Sequence, residues 1–180
     1  TTSGGGMLVS NNQERIEKVR FWATQSRDKA RHYQHSELGY NYRMSNVVAG
    51  IGRGQLKVLD QRVKKKNYIY ECYKRELGEL EGVEFMPNND WDKPNYWLSC
   101  LTLSGSIRPI ELMEALEKED IESRPVWKPM HLQPYFEKYD YIGDDVAEKL
   151  FENGVCLPSD TKMTDEDLER VVKTIKGLWR

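Results

Sequence analysis

The chain has 180 residues, of which 38% are hydrophobic and 31% are charged, and its formal net charge is −2. This composition is typical of a folded globular protein and excludes an intrinsically disordered chain. No apolar run approaches the ~20 residues that a membrane-spanning helix needs, so no membrane association is expected. Three cysteines, odd in number and far apart, predict buried thiols in a reducing cytosol and hence a cytoplasmic location; they are Cys72, Cys100 and Cys156.

The charge is distributed unevenly along the chain. Residues 13–76 carry 15 basic and 7 acidic side chains, whereas residues 77–180 carry 12 basic and 22 acidic ones. A basic region attracts anionic, phosphate-bearing partners. Much of the excess lies in the run Lys64–Lys66, which in a helical pattern is typical of a solvated face. We therefore expect an anionic ligand but no nucleic acid, because the rest of the chain is acidic.

The first half of the chain predicts a short strand and two helices. A glycine turn at residues 4–6 leads into a strand over residues 7–10, and apolar spacing predicts a helix over residues 13–26. Residues 27–44 lack a period and predict an ordered loop, which a single long helix follows over residues 45–80. Three glycines weaken the first turns of that helix by ~1 kcal/mol each relative to alanine. They indicate either a frayed start or the close approach of another backbone: Gly50, Gly52 and Gly54.

After residue 82 the pattern changes to strands alternating with helices. The predicted strands cover residues 83–86, 96–103, 121–126 and 155–157, and the predicted helices cover residues 107–119 and 144–153. The last helix begins with a capping box, in which Thr164 precedes Asp167 by three residues. These elements predict an α/β protein whose C-terminal part is a small α+β domain.

The stretch LGYNYRMSN, residues 38–46, combines turn-forming, polar and aromatic residues. Gly39 permits a tight turn, and Asn41 and Arg43 present polar groups beside tyrosine rings. Either Ser45 or Asn46 is able to cap the helix that follows. The stretch is therefore either an ordinary helix entrance or a loop shaped to hold an anion.

Two other stretches carry side chains suited to binding. In SRPVWKPMHLQPYF, residues 123–136, two prolines fix extended backbone around Trp127. This stretch is either the lining of a ligand site or an irregular loop packed by its own aromatic rings. His32 and His35 have a spacing that suits a metal ion, but no third ligand lies on a plausible element, so no metal site is predicted.

Taken in chain order, four stretches resemble the DegT/DnrJ/EryC1/StrS family of sugar aminotransferases. They are TTSGGGMLVSNN, LGYNYRMSNVVAGIGRGQLKVLD, RPVWKPMHLQPYF and GVCLPSDTKMTDEDLERVVKTI. The resemblance is nearest to members that aminate UDP-linked 4-keto-6-deoxy-N-acetylhexosamines in bacillosamine-type and exopolysaccharide synthesis. It implies the C-terminal part of a fold-type-I transferase that uses pyridoxal 5′-phosphate (PLP) and glutamate. It also implies a homodimer whose active sites are shared between subunits.

The resemblance implies roles for individual residues. Asn41, with its neighbour Tyr40, matches the loop that reaches the PLP phosphate of the partner subunit. Arg43 matches a position that faces the anionic sugar nucleotide. Three further residues match the segment that lies near the sugar substrate: His131, Arg124 and Trp127.

The resemblance places the Schiff-base lysine a few residues before the glycine turn, upstream of Thr1. We therefore expect a C-terminal half that is inactive alone, in which residues 1–45 end the large PLP-binding domain and residues 46–180 form a linking helix and the small domain. Lys57 and Lys64–Lys66 are not expected to replace that lysine, because they lie on a solvated helix face. Two alternatives stay open: a non-catalytic module that dimerises or binds a nucleotide sugar, and a sugar 3-dehydratase with histidine in the lysine position.

Overall fold

The structure is a computed structural model that describes residues 1–179. The chain forms two compact units, of which one spans Thr1–Leu59 and the other begins at Asp60. The first unit contains two helices, α1 (Gln13–Ala23) and α2 (Asn46–Leu56). Among residues 1–179, no helix is both long enough and apolar enough to cross a lipid bilayer.

The first helix confirms the prediction, but the strand before it does not form. Helix α1 is capped by Asn12, whose side chain accepts a hydrogen bond from the backbone N–H of Arg15 at 3.0 Å. The strand predicted over residues 7–10 was wrong: Met7 and Val9 are 90% and 84% exposed. A strand needs a neighbouring strand to satisfy its backbone groups, and residues 1–59 contain no regular strand to pair with it.

The single helix predicted over residues 45–80 is two helices, so that prediction was wrong. Helix α3 (Leu59–Leu77) follows α2 after a turn at Lys57 and Val58. Glycine lowers helix stability. The three glycines lie in α2 and none lies in α3, so the break comes directly after the glycine-rich part of the sequence.

The three glycines of α2 do not delay its start. The helix begins at Asn46, and the Ser45 hydroxyl accepts a hydrogen bond from the backbone N–H of Val48 at 3.3 Å. Within residues 1–179, the only outside atom near a hypothetical Cβ on these glycines is the Thr2 methyl, 3.3 Å from the one at Gly52. No other backbone segment of this chain therefore approaches them.

The second unit contains a four-stranded antiparallel sheet with helices and short 3₁₀ turns. Its strands are β1 (Val83–Phe85), β2 (Ser99–Leu103), β3 (Arg124–Pro125) and β4 (Gly154–Leu157), and they lie in the order β1-β2-β4-β3. Its helices after α3 are α4 (Pro109–Glu117), α5 (Val146–Asn153) and α6 (Asp165–Lys176), and its 3₁₀ turns are Met130–Leu132 and Gly177–Trp179.

The elements after residue 82 confirm the predicted alternation, although three strands are shorter than expected, β1 by one residue. The strand predicted from residue 96 begins only at Ser99, because Tyr96 has a φ of +45° and so lies outside the β region. The strand predicted over residues 121–126 is reduced to β3. At the start of the predicted strand, the N–H of Ile121 instead donates to the carbonyl of Leu116 in α4 at 3.0 Å, so it is not available for pairing in the sheet.

One face of the sheet packs against α3, α4 and α6 to form the hydrophobic core. Leu101 and Leu103 of β2 belong to this core together with Val155 and Leu157 of β4. Alternate residues of a strand share a face, which places the residues between them on the other face.

The predicted capping box at the start of α6 is confirmed. The Thr164 hydroxyl accepts a hydrogen bond from the backbone N–H of Asp167 at 3.2 Å, and the Asp167 carboxylate accepts one from the N–H of Thr164 at 2.8 Å. The cap fixes the start of α6, whose apolar residues then face the core: Leu168, Val171, Val172 and Ile175.

Candidate functional site

The stretch around Asn41 is fixed by backbone hydrogen bonds to the end of α1. The N–H of Tyr40 donates to the carbonyl of Trp22 at 2.8 Å, and the N–H of Tyr42 donates to the carbonyl of Ala23 at 3.0 Å. These two carbonyls lie in the last turn of α1, where a helix has no internal donors left for them. Asn41 stands between the two tyrosines and pairs with Thr24 in an isolated β-bridge.

Gly39 is needed for space and not for a special backbone angle. A Cβ at this position would overlap the backbone of Gln25 and Ser26. Ser26 is fully buried, and its hydroxyl donates to the carbonyl of Leu38 at 3.0 Å. Gln25 and Ser26 both have positive φ, at 69° and 49°, which is uncommon for residues with a side chain. The helix predicted over residues 13–26 included this turn, so its last three residues were wrong.

A cavity of about 830 Å³ in the first unit brings together two motifs that are far apart in the sequence. Its lining includes the glycine turn at residues 4–6 and the segment from Tyr40 to Ser45. Three of the predicted site residues, Tyr40, Asn41 and Arg43, therefore share one cavity. The rings of Tyr40 and Tyr42 stack with their centroids 5.3 Å apart.

The polar groups of this cavity suit an anion. Asn41 and Arg43 are exposed, and their side chains have no hydrogen bond or ion pair within the described part of the chain. Ser45 and Val48, at the N-terminus of α2, line the same cavity. A helix N-terminus carries free N–H groups and a partial positive charge, and a guanidinium binds phosphate oxygens well. These residues fit a ligand that carries a phosphate group.

Trp22, which lines this cavity, forms a hydrogen bond to Glu37, a residue that the sequence did not indicate as part of the site. Its indole N–H donates to the Glu37 carboxylate at 2.8 Å, and Lys18 forms an ion pair with the same carboxylate. Hydrogen bonds from Lys18 and then from Trp22 lower the pKa of Glu37 below its ordinary value. The spacing of Lys18 and Trp22 puts both on one face of α1, but nothing in the sequence identified Glu37 as their partner.

A second cavity, of about 670 Å³, lies in the second unit and contains Arg124 and Trp127. The rings of Trp97 and Trp127 stack there with their centroids 6.0 Å apart and an angle of 30°. Arg124 forms an ion pair with Glu122, but both side chains are exposed. Exposed pairs contribute little free energy, so the guanidinium is available to a ligand.

Lys66 lines the same cavity, and its prediction as part of a solvated helix face was wrong. Its ammonium group donates to the carbonyl of Trp97 at 2.8 Å and to the carbonyl of Ser159. Burial lowers the pKa of Lys66 from its ordinary value. Trp97 and Ser159 also line this cavity, so Lys66 connects two segments of its wall through hydrogen bonds.

His131 lies outside both cavities. Its Nε2 is 3.0 Å from a carboxylate oxygen of Glu148, and its ring stacks on Tyr141 with 3.7 Å between centroids. Its side chain is only 16% exposed. The structure therefore separates His131 from Arg124 and Trp127, and its role near the sugar stays a prediction.

The two histidines with metal-like spacing bind protein groups. His32 Nε2 is 3.3 Å from the Gln34 amide oxygen, and His35 Nδ1 is 2.8 Å from the carbonyl of Gln25. Across residues 1–179, no group of three or more histidine, cysteine or acidic side chains is placed to hold a metal ion.

Comparison with known proteins gives a family match over nearly the whole chain. The profile of the DegT/DnrJ/EryC1/StrS aminotransferase family matches residues 1–176. EpsN of Bacillus subtilis (strain 168), which its name describes as a pyridoxal phosphate-dependent aminotransferase, is 48% identical over 99% of this chain and 47% of its own length. GDP-perosamine synthase of Escherichia coli O157:H7 is 34% identical over 99% of this chain and 48% of its own. The chain thus spans about half the length of the curated relatives it matches.

Comparison with solved structures also gives a match that covers nearly all of this chain and about half of the other protein. Helicobacter pylori PseC, an aminotransferase involved in the biosynthesis of pseudoaminic acid, superposes with a TM-score of 0.83 at 17% identity. The match covers 95% of this chain and 47% of PseC. The predicted α/β fold class is therefore confirmed: the chain is a mixed helix and sheet structure that matches about half of a solved aminotransferase.

Proposed function

Because the chain belongs to the DegT/DnrJ/EryC1/StrS aminotransferase family, we propose that it is the C-terminal portion of a PLP-dependent sugar aminotransferase. The intact enzyme transfers an amino group, with glutamate as donor, to a keto group of a nucleotide-linked deoxy sugar. The family match over residues 1–176 carries this proposal. The names of relatives support the substrate class, since they include a GDP-perosamine synthase and a Campylobacter jejuni UDP-4-amino-4,6-dideoxy-N-acetyl-beta-L-altrosamine transaminase.

The first cavity is the part of this chain that serves the cofactor. PLP, when bound, supplies an electron sink for the carbon that gains or loses the amino group. The side-chain N–H of Asn41 would donate a hydrogen bond to the phosphate of the PLP held by the partner subunit. Tyr40 positions Asn41. The absence of any side-chain partner for Asn41 among the described residues supports this role, because the amide is free to bind a group outside its own chain.

The nucleotide sugar is held by charged and aromatic side chains. Arg43 binds its diphosphate, since a guanidinium pairs with two phosphate oxygens at once. Arg124 and Trp127 contact the sugar nucleotide from the second cavity, where the tryptophan offers a flat apolar face. His131 acts near the sugar, with Glu148 holding its ring in place.

The remaining parts of the proposal concern the longer protein. Because the chain spans about half the length of its relatives, the proposal assigns the Schiff-base lysine to the remainder of the longer protein, and the activity to that longer protein. Residues 1–45 complete the large domain, and residues 46–180 contribute the linking segment and the small domain. The enzyme is a cytoplasmic homodimer in which each subunit completes the site of the other.

The intact protein, supplied with PLP and glutamate, tests the proposed reaction directly. It is incubated with a UDP-linked and with a GDP-linked 4-keto-6-deoxy sugar, and the products are separated by mass. We expect one of the two to yield an amino sugar together with an equal amount of 2-oxoglutarate. A cofactor-loaded protein that forms no amino sugar from either would contradict the proposal, and loss of water from the sugar would favour the 3-dehydratase.

The substitution Asn41→Ala in the intact protein tests the phosphate contact. A hydrogen bond to a charged group contributes roughly 1.5–3 kcal/mol, so we expect PLP to bind about 10- to 100-fold more weakly. Equilibrium dialysis of PLP measures this change. Asn11→Ala is the matched control, because Asn11 is exposed and lies outside the cavity. Wild-type PLP affinity in Asn41→Ala would refute the contact.

The substitution Arg43→Ala tests the contact with the nucleotide sugar. We expect the KM for the nucleotide sugar to rise about 10-fold or more, with little change in the KM for glutamate. Arg53→Ala is the control, since Arg53 is an exposed arginine of α2 outside the cavity. Equal rises in both KM values would show that Arg43 does not distinguish the two substrates.

A further inference from the structure

Two cysteines that are far apart in the sequence lie directly opposite each other in the sheet. Cys100 of β2 pairs with Cys156 of β4 in the antiparallel register, and their sulfur atoms are 3.5 Å apart. Opposite residues in antiparallel strands have Cα atoms about 4.5–5.5 Å apart. A disulfide accepts Cα separations of about 4.4–6.8 Å. The two sulfurs can therefore bond after small side-chain rotations, without movement of the strands.

The pair lies on the face of the sheet away from the hydrophobic core. Leu101 and Val155, the next residues along each strand, belong to the core, so alternation turns the two cysteines to the opposite face. Cys156 lines the 670 Å³ cavity of the second unit but is only 8% exposed, whereas Cys100 is partly exposed. A small oxidant therefore has to reach Cys156 through the cavity that it lines.

The two thiols share a hydrogen bond in which either sulfur is able to donate. When the Cys100 S–H donates, the pKa of Cys156 is lowered to about 7 and that of Cys100 is raised. The thiolate is the reactive form of cysteine, and a thiol with a pKa near ambient pH attacks efficiently. Cys156 also lines the cavity and Cys100 does not, so Cys156 is the better placed of the two to react first.

We propose that Cys100 and Cys156 form a reversible redox site, in which a hydroperoxide oxidises Cys156 and Cys100 closes a disulfide across β2 and β4. The Cys156 thiolate attacks the outer peroxide oxygen, the O–O bond breaks, and the leaving hydroxide or alkoxide takes up a proton to give water or an alcohol, respectively. Cys156 is then a sulfenic acid. The Cys100 sulfur attacks the Cys156 sulfur, the S–O bond breaks, and the hydroxide leaves as water with the Cys100 proton. Each sulfur loses one electron and the peroxide gains two; a dithiol reductant reverses the reaction.

This redox site does not depend on the proposed aminotransferase activity. The disulfide forms at the cavity that contains Arg124 and Trp127, and β3 carries Arg124 directly opposite Cys156 in the register. Oxidation therefore changes the wall of a cavity that the proposed substrate uses. The thiol chemistry is measured on the protein itself, so its outcome is independent of whether the protein aminates a sugar.

Peptide mapping of the intact protein after treatment with hydrogen peroxide tests the proposal. Cleavage after lysine and arginine, but not before proline, puts Cys72, Cys100 and Cys156 on separate peptides, residues 67–74, 76–118 and 150–162. We expect the second and third peptides to become linked, with the loss of two hydrogens, as the main product. A reductant should separate them again. Oxidation that leaves the two peptides unlinked would overturn the proposal.

Single substitutions test the order of the two steps. In Cys100→Ser, Cys156 should stop at the sulfenic acid, which dimedone traps on the peptide of residues 150–162. In Cys156→Ser, Cys100 should stay reduced at the peroxide concentration that links the wild-type protein. Cys72→Ser is the matched control, since Cys72 belongs to the core on α3, and it should leave the link unchanged. Dimedone labelling of Cys100 instead of Cys156 would refute the assigned roles.

Discussion

Each of the two units of this chain is stabilised internally by a different kind of interaction. Among residues 1–59 the only buried side chain is that of Ser26, whereas the second unit has a continuous core built from its sheet and three helices. The first unit keeps its shape through backbone hydrogen bonds, such as those that join Tyr40 and Tyr42 to the end of α1. Within the described part of the chain, backbone hydrogen bonds are therefore the contacts that position the segment around Asn41.

Several apolar side chains of the first unit lie on its surface. Tyr42 and Val47 are 76% and 73% exposed, and Met44 is 44% exposed. Clustered apolar residues on a surface mark places where proteins make contacts. In the proposed longer protein this surface is open both to the remainder of the chain and to a neighbouring subunit.

The largest expected effect of a single substitution lies in the core of the second unit. Leu116 in α4 is fully buried, so Leu116→Ala should lower the free energy of unfolding by about 2–5 kcal/mol. Val47→Ala in α2 removes a largely exposed side chain and should change it by less than about 0.5 kcal/mol. Urea titrations of the 180-residue chain, in which Val47 has this exposure, measure both values. A loss at Val47 as large as that at Leu116 would contradict the contrast between the units.

An intermediate effect is expected at Gly39, where the first unit depends on close backbone packing. The added Cβ in Gly39→Ala overlaps the turn at Gln25 and Ser26, and overpacking of this kind costs about 1–3 kcal/mol. Hydrogen exchange should show faster exchange of the Tyr40 and Tyr42 amides.

The matched control for this change is Gly54→Ala. A Cβ on Gly54 meets no atom within 4 Å, so alanine should stabilise α2 by about 0.5–1 kcal/mol. If Gly39→Ala left the exchange of both tyrosine amides unchanged, the backbone contacts would not be what holds this segment.

The smallest effect concerns a surface carboxylate of the second unit. Lys176, 2.8 Å away, and then Arg75 lower the pKa of Glu76 below its ordinary value of 4.5. A carboxyl with a depressed pKa stabilises the fold above its unfolded pKa, and this contribution is lost as the pH falls through its folded pKa. Glu76→Gln should therefore lower the urea midpoint at pH 7 but have little effect at pH 3. Glu79→Gln, an exposed control, should show no such pH dependence; an equal loss at both pH values would argue against the charge interaction.

The sequence predicted those elements whose signals are local. The capping box of Thr164 and Asp167 lies within four residues, and the apolar period of α6 follows it directly, so both were found. The strand at residues 7–10 was predicted from its composition alone, but a strand depends on a neighbour that a local pattern does not specify. The break at Lys57 also escaped prediction, because the apolar period continues across it.

Roles for the site residues were predicted only from the resemblance, and they stay predictions. Composition left the segment around Asn41 open between a helix entrance and an anion loop, and only the fold brings it to the glycine turn. The partnership of Trp22 with Glu37 and the contacts of Lys66 depend on long-range packing, which leaves no trace in spacing. The same holds for Cys100 and Cys156, which were interpreted as separate buried thiols because their pairing depends on the register of β2 and β4.

The two-residue strand β3 has a consequence for how this protein can associate with others. It forms one edge of the sheet, and Pro125 offers no N–H to an incoming chain; the opposite edge, β1, is only three residues long. Short edges and proline are the features by which sheets resist edge-to-edge aggregation. Partners of the second unit must therefore be recognised through its side chains, because neither edge provides a template for an added strand.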